Sequence, residues 1–144
     1  MHIGILQTGP VPDEMVAQFG QYTDRFARFL DGNGFSYTTW EVHLGDFPPA
    51  PDAAEGWLIT GSRYGVYEDH DWLPPLRQFI RDVMAQDRPM VGVCFGHQVI
   101  AQAMGARVEK FDGGWVVGAQ DYAFGGSTLR LNAWHQDQVL SVPD

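Results

Sequence analysis

Hydrophobic positions in this 144-residue chain switch repeatedly between every-other-residue spacing and spacings of three and four, the two periodicities of strand and helix. His2 to Gln7 reads as a first buried strand, closed by the turn-forming Gly9-Pro10-Val11-Pro12. Met15, Phe19, Tyr22, Phe26 and Phe29 then mark one stripe of a single amphipathic helix that stops near Gly32-Asn33-Gly34. That aromatic stripe is expected to pack into the core rather than to hold a cofactor. Phe35 to Val42 alternates as a second strand, and Phe47-Pro48-Pro49-Ala50-Pro51 is a stiff loop, not a domain linker. Gly56 to Thr60 makes a third strand, and Leu76, Phe79, Ile80 and Val83 mark the next helix, with Pro74 and Pro75 tolerated in its first turn. Pro89 to Val93 is a fourth strand, and a helix from about Phe95 to Met104 ends at Gly105. After Arg107 come short strand-like pieces broken by Gly113-Gly114, Gly118 and Gly125-Gly126, the pattern of hairpins beside a main sheet.

Strands alternating with helices predict an α/β fold, a mostly parallel, twisted sheet with helices on both faces. Sites in such sheets lie at the carboxyl ends of the strands. Gly61-Ser62 and Cys94 both fall there, so the fold brings together residues that are far apart in sequence.

A 44% hydrophobic content over this length is enough for one domain with a real core, spanning residues 1–144. The net charge of −9 argues against nucleic acid or an anionic membrane as a partner, because neither attracts an acidic surface. A small zwitterion is not excluded. One cysteine cannot form an internal disulfide, which fits a reducing, cytoplasmic setting. Met1-His2-Ile3-Gly4-Ile5-Leu6-Gln7 lacks the basic flank and apolar length of a signal peptide. No stretch approaches the roughly 20 apolar residues of a membrane span.

That cysteine carries the candidate chemistry. Gly92 and Gly96 flank Cys94 at two residues on either side, between an apolar strand and a helix. This is the spacing in which a sharp strand-to-helix turn presents a nucleophile and leaves no room for neighbouring side chains. The helix N-terminus adds unpaired N–H groups and a dipole that favour negative charge at that point. A lone cysteine in an apolar stretch is otherwise a small buried hydrophobe, and the two glycines favour the nucleophile. A metal site on Cys94-x-x-His97 lacks a second ligand pair, so neither metal nor cofactor is expected. His2, His43 and His70 have no partner pattern, and Arg63, Tyr64, Glu68, Asp69, His70 and Asp71 form a polar loop at the site mouth or in solvent.

Gly92-Val93-Cys94-Phe95-Gly96-His97-Gln98 resembles the G-x-C-x-G-x-Q signature of class I glutamine amidotransferases. Ile59-Thr60-Gly61-Ser62 sits where that family carries a glycine-rich oxyanion loop, and Trp134-His135-Gln136-Asp137-Gln138-Val139 is similar to the segment that closes over the substrate glutamine. Gly61 to Glu68 is most similar to stand-alone members that look like the amidotransferase domain of GMP synthase. The resemblance implies a flavodoxin-like fold and amide hydrolysis with ammonia release. Cys94 would attack the carboxamide carbon, backbone N–H groups of Gly61 and Phe95 would stabilise the oxyanion, and a glutamyl thioester would be cleaved by water. Gln98 would contact the substrate, and Trp134, His135 and Gln136 would bind its amino-acid end mainly through backbone groups.

Within this resemblance His135 is not the base, and His97 is expected to pack structurally under the turn. The family completes its site with a His-Pro-Glu motif some tens of residues past the closing segment, and this sequence has no His-x-Glu before Asp144. The expectation is therefore a C-terminally incomplete amidotransferase domain. Three readings follow: the glutaminase part of an amidotransferase, feeding ammonia to a synthetase or to an acceptor domain or subunit; a hydrolase or peptidase of γ-glutamyl small molecules using the same Cys94; or a catalytically incomplete binding protein or fragment.

Overall fold

The computed structural model describes residues 1–141. The terminal Val142-Pro143-Asp144, expected from the sequence to end an incomplete domain, lies outside them. Four parallel strands form the main sheet, β1 (His2–Leu6), β2 (Ser36–Trp40), β3 (Gly56–Ile59) and β4 (Met90–Gly92), in the order β2-β1-β3-β4. Side chains alternate across it as the period of two requires. Leu6, Trp57 and Ile59 face one layer and Ile3, Ile5 and Leu58 the other.

The first face is covered by α3 (Leu73–Ala85) and α4 (Phe95–Ala103), the second by α2 (Tyr22–Phe29), which follows the short α1 (Asp13–Phe19). Leu73, Leu76, Phe79, Ile80 and Val83 of α3 are all buried, with Pro74 and Pro75 in its first turn, where a missing N–H costs nothing. The sheet is therefore covered on both faces as its pattern predicts, although α2 stops short of β4 and leaves Val91 59% exposed.

The single helix predicted over Met15 to Phe29 is two. Gly20, at φ 76°, ends α1, and Gln21 starts α2 with a reciprocal capping box to Asp24. The break rotates the aromatic stripe out of the core: Phe29 is 82% exposed and Phe19 42%, while Phe26 alone of the five packs on the Ile3–Ile5–Leu58 layer. The spacing of the stripe suits a helix but is blind to the left-handed glycine inside it.

Past α4 the chain leaves the main sheet. β5 (Val108–Lys110) pairs antiparallel with β8 (Asp137–Val139), and between them β6 (Val116–Phe124) and β7 (Ser127–His135) form a long hairpin. Glycine punctuation predicts hairpins correctly but not their length, since Gly118, at φ 89°, lies within β6 rather than ending it.

Close approach fixes the junction of β4 and α4. A Cβ on Gly92 would lie 2.2 Å from the Gly96 carbonyl carbon, and one on Gly96 would lie 2.4 Å from the Ile59 backbone oxygen. Backbone cannot yield as a side chain does. Although alanine gains about 0.5–1 kcal/mol over glycine by helix propensity, the overpacking cost of roughly 3 kcal/mol exceeds it. Gly96→Ala is therefore expected to lower the thermal unfolding midpoint sharply; an unchanged or raised midpoint would contradict the close-packed junction.

Candidate active site

The sharp turn is borne by Cys94 itself. Its backbone stands at φ 54° and ψ −109°, one of two non-glycine residues at positive φ among the described residues. A side chain in that region costs of order 1–3 kcal/mol and persists only where its surroundings enforce it. Here they do: Val93 N–H donates to Ile59 O at 3.0 Å, Gly96 N–H to Val93 O at 2.9 Å and Gln98 N–H to Cys94 O at 3.2 Å. Directly behind the turn Phe95 is 1% exposed and packs on Trp72, with ring centroids 5.8 Å apart. Anchored by Phe95 below, the Cys94 side chain is left exposed.

Gly61 lies at the end of β3 beside it. A Cβ at Gly61 would sit 3.6 Å from Cys94 Cβ. Among the described residues, the backbone N–H groups of Gly61 and Phe95 donate to no protein acceptor. Two free donors thus flank one exposed thiol.

The closing segment joins these elements through Asp137. Its backbone carbonyl accepts from Gln98 Nε2 at 3.2 Å and bonds His135 Nδ1 at 3.2 Å, while its side chain accepts from Tyr67 Oη at 3.0 Å. Gln98 is 7% exposed, so the amide that the sequence assigns to substrate has at least one donor committed to the protein. Tyr67 carries no signal in the sequence, and its partner lies 70 positions away. Local pattern holds no trace of such a pair.

Two cavities meet at Cys94, Gln98 and the Trp134–Asp137 segment. One, of about 620 Å³, runs along the hairpin past Tyr122, Ala133 and His97. The other, of about 810 Å³, opens between Ser62–Tyr64, Met15 and Tyr22 on one side and Lys110, Trp115 and Gln136 on the other. His97 is exposed in the first cavity rather than packed under the turn, because Phe95 and Gly96 already fill that space. Trp134 is 72% exposed at the junction, whereas His135 and Gln136 are half-buried. Neither His97 nor His135 is paired with a carboxylate among the described residues, so neither is oriented as the base of a triad. Arg63 and Tyr64 line the larger cavity with the guanidinium over the ring, while His70 pairs with Glu68 at 2.8 Å and stacks on Trp72. His2 and His43 bond Ser36 and Gln7. Among the described residues no group of three or more His, Cys, Asp or Glu could hold a metal, and no helix is long and apolar enough to cross a membrane.

A parallel α/β sheet carries an exposed cysteine on a strand-to-helix elbow beside the end of the neighbouring strand, the strand–turn–helix arrangement of the nucleophile-elbow class of folds. The family model for glutamine amidotransferase class-I matches residues 21–143, and the chain belongs to that family. It is 31% identical to gamma-glutamyl peptidase 4 of Arabidopsis thaliana, covering 92% of this chain and 60% of that protein. It is 30% identical to a glutamine-hydrolyzing GMP synthase subunit of Halobacterium salinarum, covering 90% of this chain and 70% of that one. Among solved structures, a glutamine amidotransferase from Methylobacillus flagellatus superposes with a TM-score of 0.77 at 24% identity, over 98% of this chain and 57% of its own, a likeness of fold. The chain spans 66% of the length of a glutamine amidotransferase-like protein of Schizosaccharomyces pombe, as well as the 60% of the Arabidopsis protein.

The clamp on Asp137 has a spectroscopic signature. Loss of hydration, the hydrogen bond to Asp137 and the nearby charges of Asp137 and Glu68 push the Tyr67 phenol up to about 12. Because its folded value lies above the ordinary 10.0 of a tyrosine, the contribution to stability is complete below that pH and disappears as pH rises through about 12. In an absorbance titration of the folded protein, Tyr67→Phe is expected to remove a tyrosine ionisation at a pH of about 12. An unchanged alkaline limb would contradict the bond.

Proposed function

We propose that this chain carries the nucleophile and oxyanion side of an enzyme that hydrolyses the γ-amide of glutamine through a cysteine thioester and releases ammonia. The observation that carries the reading is the exposed Cys94 at positive φ with the free N–H groups of Gly61 and Phe95 beside it. Cys94 Sγ attacks the carboxamide carbon, and the carbonyl π electrons move onto oxygen. The oxyanion then sits against two donors that need no rearrangement at the moment of reaction. Collapse breaks the C–N bond, the nitrogen leaves as ammonia with a proton gained in transfer, and water cleaves the glutamyl thioester to glutamate and free thiol. Gln98 and the backbone of Trp134, His135 and Gln136 line the space in which the amino-acid end is held. The proton carrier for these steps is not assigned to His97 or His135, since neither has an orienting carboxylate.

Ammonia is useful only to an acceptor, and the name of the Halobacterium relative, one subunit of a synthase, supports a partner domain or chain that takes the ammonia up. The reactive thiol suits a reducing cytoplasm. A second reading, γ-glutamyl peptidase activity, is supported by the 31% identity to the Arabidopsis γ-glutamyl peptidase, and the cavity of about 810 Å³ leaves room for an amine leaving group. That volume lies in the range that encloses drug-sized ligands, more than a departing ammonia needs.

Ammonia and free-amine release by the gene product, assayed on glutamine and on γ-glutamyl dipeptides side by side, separates the two readings. Cys94→Ala is expected to abolish both activities, and release that survives it would overturn the nucleophile assignment. Gly61→Pro deletes the N–H itself and is expected to lower kcat about 10²–10³-fold, the loss seen when one such donor is removed. An unchanged kcat with a raised KM would remove Gly61 from the oxyanion site.

A further inference from the structure

Beneath Gly61 lies a pair of buried hydroxyls that the proposed chemistry leaves unused. Thr8, just past β1, and Thr60, just past β3, are both 0% exposed. Thr8 N–H donates to Thr60 Oγ1 at 3.1 Å. Thr8 Oγ1 lies 3.0 Å from Thr60 O, 3.1 Å from Thr60 Oγ1 and 3.3 Å from Gly61 O, and Thr60 Oγ1 lies 3.1 Å from Gly61 O. Each hydroxyl has one hydrogen to give. The shortest contact of Thr8 Oγ1 is to Thr60 O at 3.0 Å, and giving its hydrogen there satisfies both hydroxyls, with Thr60 Oγ1–H going to Gly61 O and Thr60 Oγ1 accepting the Thr8 amide.

The Thr60 carbonyl belongs to the same planar peptide unit as the Gly61 N–H, and in a trans peptide the two point in opposite directions. Holding Thr60 O toward β1 therefore turns Gly61 N–H toward β4. Neighbouring bonds follow the same alternation: Thr60 N–H reaches Leu6 O on the β1 side, and Ile59 O accepts from Val93 on the β4 side. Cys94 stands immediately after Val93. The bond from Ser62 Oγ to Thr8 O at 2.7 Å ties the far end of the same turn to the same residue.

We infer that Thr8 is a positioning residue for the oxyanion site, its hydroxyl locking the Thr60–Gly61 peptide plane so that the Gly61 N–H faces the atom that becomes negatively charged. This rests on the proposed role of Gly61 as an oxyanion donor. Thr8 lines neither of the cavities that meet at Cys94. Without its hydroxyl the peptide unit is free to rotate, and the donor is lost by misdirection rather than by removal.

The test compares Thr8→Val, which keeps the shape and deletes the hydroxyl, with Thr8→Ser, which keeps the hydroxyl, in the gene product. Two reactions of Cys94 are followed: hydrolysis of a γ-glutamyl amide, which forms an oxyanion, and alkylation by iodoacetamide, a displacement that forms none. Thr8→Val is expected to lower kcat about 10- to 100-fold, short of outright donor removal, with KM and the alkylation rate unchanged. Thr8→Ser is expected to restore kcat. If turnover and alkylation fall together in a folded Thr8→Val protein, the residue supports the elbow as a whole and the inference is overturned; unchanged kcat overturns it as well. Should Thr8→Val fail to fold, Thr8→Ser and Thr8→Cys decide, since a kcat insensitive to the weaker thiol donor contradicts the inference. Wild-type protein that alkylates but hydrolyses no γ-glutamyl amide refutes the functional reading itself, and the inference falls with it.

Discussion

Everything at the candidate site depends on how closely backbone passes backbone between the end of β3 and the start of α4. Gly96 sits so near the Ile59 carbonyl, and Gly92 so near Gly96, that no side chain fits at either. With both flanks pinned, the turn has to be made at the residue between them, and Cys94 takes up the positive φ. Strain is thereby concentrated at a residue whose side chain the fold leaves exposed. The order of causes runs from glycine to close approach, from close approach to a forced turn, and from the turn to a thiol raised above the sheet edge.

The remaining parts pack on the main core through Val108 and Val139 and are oriented by polar contacts between distant segments. Asp137 gathers Gln98, His135 and Tyr67, and so ties the closing segment both to the elbow helix and to the loop after β3. Thr8 and Thr60 tie β1 to β3 where the Gly61 turn begins. Hydrogen bonds are directional, and a buried partner left unpaired costs roughly 1–3 kcal/mol. Contacts of this kind therefore fix orientation more than they add net stability, which is what a site built from separate loops requires.

Much of this is legible in the chain. The four strands, the proline-led α3 and the glycine spacing around Cys94 are local signals, and each survives in the structure because tertiary packing has no reason to override it. The fold class and the neighbourhood of Cys94 and Gly61 follow from them. Features decided by a single backbone conformation or by distant packing are not legible in the same way. Gly20 splits one predicted helix into two, Phe29 faces solvent in spite of its place in the stripe, and His97 is displaced from under the turn by Phe95. Thr8 and Tyr67 carry no local signal because each acts through a partner more than fifty positions away. Only a stated pairing of strands and loops brings them to the site.

The central claim is that an exposed, elbow-borne Cys94 forms a covalent glutamyl intermediate. Acid quenching of the gene product during turnover of a γ-glutamyl amide, followed by intact and peptide mass measurement, tests it most directly. A gain of one glutamyl group is expected on the peptide containing Cys94, labile to hydroxylamine and absent from Cys94→Ala. Release of ammonia or amine with no adduct at any quench time, and undiminished by Cys94→Ala, would contradict it.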